Sequence, residues 1–439
     1  MEHILGNYRE EALDKDIFPI IQKNNSQYRK RFHIDNYLEF KKSFTANDFK
    51  IIPEYRYLND PNFDKKIHNL QTFEQSLIND LAIHPVVKTL YIHKIHEKKV
   101  LLTMVRMAYK AQVSTHEGVE AQDHFKTLTE QVFSQPKIDI FNQLCTVIEK
   151  EIENNGSDLA TNNAYATIKN IIANKQTTSI LPYVATKVHT NSTEIFETDA
   201  TVIVEFFKKR MNEIGLADWN IKISDKAIGS FRVQADKKNI FIPKTSVLKS
   251  RKNNRRLTPD VIEGLFNHEI LTHVIRAVNG ANSILQLLSQ GLEGYLKGEE
   301  GIATYREQLF SHHTDYSGGT MYFTLGLAYG LDRGGEMRNF SEVYKILCDY
   351  FFLKYHGRGY KSKAFSACAR IFIFTADPHT QLIFTRDTVY REGNIEIYQL
   401  MQRNPAVKNY FDIGKFDPSN SEHVITLQHL GILPSNLSE

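Results

Sequence analysis

The sequence predicts a mostly helical α+β protein in which a small sheet precedes one unusual helix. Three observations carry this expectation. Apolar residues recur every three or four positions through most of the 439 residues. Strand-like alternation is confined to 219–224, 230–234 and 239–243. From Asn267 to Val274 the chain reads N-H-E-I-L-T-H-V, two histidines and a glutamate on an otherwise apolar helix.

In chain order, the first 50 residues are mixed and charged, and the interleaved cations and aromatics at 28–32 read as a solvated helix face. A turn follows at Asn59-Asp60-Pro61-Asn62. Leu70, Phe73, Leu77 and Leu81 then mark one apolar helix face, and Leu90, Ile95, Val100, Leu101 and Met104 another, as in helical hairpins. His93, His96 and His116 have no partner at ligand spacing and read as structural or surface residues. Residues 133–153 form a further amphipathic helix, stopped by Asn154-Asn155-Gly156, with Ser157 or Asp158 capping the next.

The polar stretch 177–193 marks a domain boundary. It divides a helical N-terminal region, 1–185, from a second domain, 190–430, and a frayed tail, 431–439. A helix over 201–215 stops at Gly215, and 219–224 is a strand. Residues 230–234 and 239–243 pair as a hairpin around Ala235-Asp236-Lys237-Lys238. The basic stretch 249–256 reads as a solvated loop or as an attractor for an acidic peptide. Thr258 as N-cap and Pro259 at the first position begin the histidine helix, and Asn279-Gly280 ends it. Helices follow over 322–328, 340–353 and 387–401, with His312-His313 in a loop and 370–374 as a buried strand or helix end.

His268 and His273 stand five apart, not at the four-residue spacing of H-E-x-x-H. At 3.6 residues per turn, four positions leave two side chains roughly 40° apart around a helix, and five leave them roughly 140° apart. A straight α-helix therefore cannot aim both at one ion. A π turn absorbs one residue and restores a shared face, so the spacing predicts a bulge or a break between Glu269 and His273. A catalytic zinc site commonly takes two histidines and a carboxylate and leaves a position for water. A carboxylate from Glu299-Glu300 on the next helix can complete such a set, and Glu300 precedes Gly301 and Ala303, small enough for a close helix approach. The plainer reading of this glutamate pair is a solvated helix start.

Bulk composition narrows the function. A net charge of +3 from 54 basic and 51 acidic residues argues against nucleic acid or a membrane surface as partner. Three cysteines (Cys145, Cys348, Cys368), without metal-ligand spacing, read as reduced thiols. With no leader pattern at the N-terminus and no long apolar run, a cytoplasmic location is expected.

These residues carry a family resemblance. H-E-I-L-T-H (268–273), E-E-G-I-A (299–303) and F-T-R-D-T-V-Y-R-E-G (384–393) resemble, in this order, the three blocks of the HExxxH metallopeptidases. That family includes the microtubule-associated tyrosine carboxypeptidases and the bacterial QEGLA-motif proteins. The likeness is good over about 190–430 and weak before 180. Ile373 and Phe374 stand where the family's C-x-R-V-x-R-G block has Arg-Gly, and Arg386 replaces the lysine of FTKD.

The resemblance implies a zincin-like catalytic domain and a single zinc ion per chain, held by His268, His273 and Glu300. Glu269 is then the general base that activates water. It further implies a zinc carboxypeptidase that removes a tyrosine- or glutamate-type residue from the C-terminal tail of a protein or peptide. Tubulin enters as a target by resemblance only. Reading a free carboxylate suits arginine, so Arg386 and Arg370 are candidates, with Tyr390 or Tyr322 for an aromatic pocket. Internal salt bridges are an equal alternative for both arginines. A zinc endopeptidase and a catalytically silent binding protein are the other readings.

Overall fold

Helices dominate, and the described strands form one three-stranded sheet. The computed structural model describes residues 34–47, 51–55, 63–111, 116–153, 159–180, 182–184, 199–224, 231–234, 237–250, 259–310, 313, 315–375 and 380–434. Thr258, most of the basic stretch 249–256, the turn at 154–158, Ala235-Asp236 and His312 lie outside them. The described chain divides into two compact units, one drawn from 34–182 and 318–391 and the other from 183–317 and 392–434. Residues 318–391 thus group with the N-terminal helices, which a linear division near 185–190 does not anticipate.

The first unit opens with six helices: α1 (Tyr37–Thr45), α2 (Phe63–Asn79), α3 (Pro85–Lys110), α4 (His116–Phe133), α5 (Ile138–Ile152) and α6 (Leu159–Ile172). Pro85 occupies the first turn of α3, where its missing N–H costs no hydrogen bond. On α5, Ile140, Phe141, Leu144, Cys145, Ile148 and Ile152 are buried at the three- and four-residue spacing that predicts the helix. Leu70 and Leu77 are buried on α2, but Leu81 lies beyond the helix end and is 94% exposed. Its spacing matches the apolar face; the helix simply stops first, at Asn79.

The second unit begins with α7 (Ala200–Glu213), capped by the Asp199 carboxylate, which accepts from Thr201 N. It ends where Gly215 takes a φ of 77°. Strands β1 (Asn220–Ser224), β2 (Arg232–Gln234) and β3 (Asn239–Pro243) follow. β2 and β3 are antiparallel, as the hairpin reading requires, while β1 lies parallel to β3 on its other side. After α8 (Thr245–Ser250) comes the histidine helix in three parts: α9 (Pro259–His268), a π turn (Glu269–Val274) and α10 (Ile275–Asn282). The unit's main core packs Ile203, Phe207 and Met211 of α7 and Ile240 and Ile242 of β3 against Ile262, Phe266, Ile270 and Val274. Helix α11 (Leu296–Gln308) lies along α9 and the π turn.

The chain then returns to the first unit with α12 (Gly319–Ala328), α13 (Phe340–Lys354) and α14 (Tyr360–Ile371). A capping box starts α13: Glu342 N donates to Asn339 Oδ1, and Asn339 N donates to Glu342 Oε2. Phe40 and Phe44 of α1 meet Phe340 and Phe365 at ring separations of 4.9–5.8 Å. Residues 370–371 end a helix, the second of the two readings for that apolar run. Last come α15 (Thr388–Arg403) and α16 (Ser421–His429). No helix among the described residues is long and apolar enough to cross a membrane.

Candidate metal centre

The π turn expected from the histidine spacing is present at Glu269–Val274. Its signature is the N–H of Ile275, which reaches the carbonyl of Ile270 five residues back. The Thr272 hydroxyl donates to the carbonyl of Asn267, also five residues back, at 2.9 Å. Buried Ile270 and Val274 hold the turn's inner side in the core, so the histidines face the other way. The two imidazoles stand edge to face, 5.2 Å between centroids.

Glu300 reaches this face from α11. Its neighbour Gly301 explains how closely: a Cβ there would sit 2.4 Å from the carbonyl oxygen of Gly393. Gly298, one turn earlier, has no room for a Cβ against Asp417. Two glycines thus let α11 press against the C-terminal part of its unit while Glu300 points to the histidines. One ligand atom from each of His268, His273 and Glu300 lies within 4.8 Å of the others, the one such cluster of metal-binding side chains among the described residues. Donors around a tetrahedral zinc with bonds of ~2.0 Å stand ~3.3 Å apart, so a small contraction closes this set on an ion. Two imidazoles and a carboxylate are also the chemistry that zinc accepts.

Sequence reasoning did not find the groups that orient the histidines. His268 Nδ1 lies 3.0 Å from Glu307 Oε2, and His273 Nδ1 lies 2.9 Å from Glu299 Oε1. Both carboxylates belong to α11, as Glu300 does. An Nδ1–H donated to a carboxylate fixes the ring and leaves the Nε2 lone pair for a metal. Accordingly, His273 Nε2 faces Glu300 Oε2 at 4.0 Å. Glu299 does not follow the plainer alternative of a solvated helix start: it is buried between charges, Arg276 Nη1 at 3.0 Å and Lys415 Nζ at 3.3 Å. The i, i+7 spacing of Glu300 and Glu307 places them on one helix face, the only local signal for Glu307 as a partner.

Burial alone raises a carboxyl and lowers an imidazole. For Glu299 burial is outweighed by Lys415, Arg276 and His273, which hold it well below the usual carboxylate range. For His268 burial is outweighed by the hydrogen bond to Glu307 and by the charges of Glu269, Glu307 and Glu300, which push it up to about 9. Glu269 is raised: burial and the Glu300 and Glu307 charges exceed the pull of the two histidines.

Arg370, Arg386 and Tyr390 belong to the other compact unit. Arg370 makes a bidentate pair with Asp387, at 2.5 and 2.7 Å, and lies over the Tyr390 ring at 5.4 Å. Tyr322 is fully buried, its hydroxyl accepting from Lys137 N at 2.7 Å.

A sequence profile of the family described as "Microtubule-associated tyrosine carboxypeptidase" matches residues 164–436. The chain belongs to that family. The match takes in the sheet, the π turn, α11 and the segment with Arg370, Arg386 and Tyr390. A search of curated proteins finds no match to the chain. Membership in the tyrosine carboxypeptidase family ties the HExxxH helix and the EEGIA helix to a family named for peptidase activity.

Proposed function

We propose that this chain is a zinc carboxypeptidase that removes a C-terminal residue, of tyrosine or glutamate type, from a protein or peptide tail. The observation that carries the reading is the π turn, which gives histidines five apart a common face with Glu300 and leaves Glu269 beside them. His268, His273 and Glu300 would hold the ion. A zinc ion there would supply Lewis-acid polarisation of the scissile carbonyl and make a water acidic enough to attack it.

The rest is the work of the chain's own groups. Glu307 and Glu299 keep both imidazoles in the tautomer that presents Nε2. Glu269 is half-buried, and burial raises its carboxyl above the ordinary carboxylate range, the direction that favours accepting a proton. Its carboxylate takes the proton of the attacking water and delivers it to the nitrogen of the leaving amine. The family's name supports tyrosine as the leaving residue and a microtubule tail as the substrate.

A zinc endopeptidase is the second reading, and Arg370 favours it, since two of that guanidinium's donors are already committed to Asp387. One experiment addresses both. Peptides with varied C-terminal residues, free or amidated, are incubated with the wild type and Glu269→Ala, followed by mass spectrometry, with bound metal measured in each. Loss of one terminal residue from free but not amidated peptides, by the wild type only and with about one zinc per chain, is the expected result. Internal cleavage of amidated peptides would install the endopeptidase instead. Absence of zinc from the wild type after supplementation would remove the metal reading.

A further inference from the structure

A π turn frees a carbonyl, and the destination of that carbonyl is informative. In an α-helix the N–H of Ile275 would donate to Leu271 O; here it is shared between Ile270 O and Thr272 O. The Leu271 carbonyl therefore loses its α-helical partner, and a released backbone acceptor on a packed helix needs another. That partner is Arg306 of α11, whose Nη1 donates to Leu271 O and stands 3.4 Å from the Thr272 hydroxyl. The guanidinium is fixed from its far side: Nη2 bonds Asp412 Oδ1 at 2.8 Å, and the Phe411 ring lies 5.6 Å from its centre.

We infer that Arg306 is a positioning residue that holds the π turn open and so keeps His268 and His273 on one face. It touches neither histidine. Its planar fork serves the turn and Asp412 from two separate nitrogens held at a fixed spacing, a geometry that a lysine's compact ammonium does not reproduce. Without it, the turn gains by returning Leu271 O to Ile275 N–H, and that change rotates the two histidines apart. The inference rests on the proposed metal site for its consequence, but its structural half concerns the turn alone.

The test uses the full chain, with Arg306→Met and Arg306→Lys. Two readouts are taken: zinc affinity by competition with a chromophoric chelator, and amide hydrogen exchange of the metal-free protein over 268–276. Arg306→Met should bind zinc about tenfold or more weakly. Its amides from Leu271 to Ile275 should change protection while those of β3 and α7 do not. Arg306→Lys should fall between it and the wild type in both readouts. Wild-type affinity and exchange in Arg306→Met would overturn the assignment. If Arg306→Met does not fold, Arg306→Lys decides: values equal to wild type in both readouts would overturn it as well. If the wild type binds no zinc, the metal reading falls, and the exchange arm alone supports or overturns the role of Arg306 at the turn.

Discussion

A carboxylate as enclosed as Glu299 is stable only within a balance of charge. Arg276 is buried beside it and donates to the carbonyls of Gly414 and Phe416, with Nε 2.8 Å from the former and Nη2 2.6 Å from the latter. Removing one member of such a group leaves the others uncompensated, at about 3–5 kcal/mol. Glu299→Gln keeps an acceptor for His273 but loses the charge, and should destabilise the metal-free protein by an amount of this order at pH 7. The pH dependence has a definite sign. The folded carboxyl lies below its ordinary 4.5, so its contribution is complete above that value and is lost as pH falls through the acid range. Urea unfolding followed from pH 7 down to about pH 3 should therefore show a gap between wild type and Glu299→Gln that holds steady above the ordinary carboxylate range and narrows below it. A gap that widens there would contradict the assignment. At the same scale, Glu307→Ala should weaken zinc binding by about 10–100-fold, and Glu307→Gln, which keeps an acceptor, by less.

The helices show what could be read from the sequence and what could not. His268, Glu269 and His273 lie within one stretch, so their spacing alone rules out a regular α-helix and calls for a bulge or a break, of which the chain uses the π turn. Glu299 and Glu307 were not legible as partners, because each pairs with a histidine 26 or 39 residues away on another helix. For the apolar run at 369–374 strand and helix end stay open in the sequence, because a run of that length fits either, and only its first residues belong to the end of α14. The small residues after Glu300 were legible, and their use is concrete. Gly301→Ala would push a methyl group to 2.4 Å from the Gly393 carbonyl, so α11 must shift. We expect about 1–3 kcal/mol of lost stability together with weaker zinc binding, checked by denaturant titration and metal competition. Unchanged values in both would mean that the helix approach does not set the site.

For the whole molecule, zinc bound to the native state but not to the unfolded chain should act as a stabiliser. At a free concentration of 100 times Kd the gain is about 2.7 kcal/mol. A thermal scan with zinc should show a higher midpoint than one with a chelator, and His268→Ala should remove the difference. Equal midpoints for the wild type would indicate that the native fold does not take up the ion.

The segment from Asp412 to Phe416 supplies no metal ligand, yet it reaches Arg306, Arg276 and Glu299 in turn. It works as a rear buttress for the whole centre. A chain clipped by a protease just before Asp412 would retain every residue of the HExxxH and EEGIA blocks. It would nevertheless have lost the acceptors of Arg276, the outer anchor of Arg306 and the lysine beside Glu299. Sites of this kind can be silenced from behind, by a cut that leaves their visible chemistry untouched.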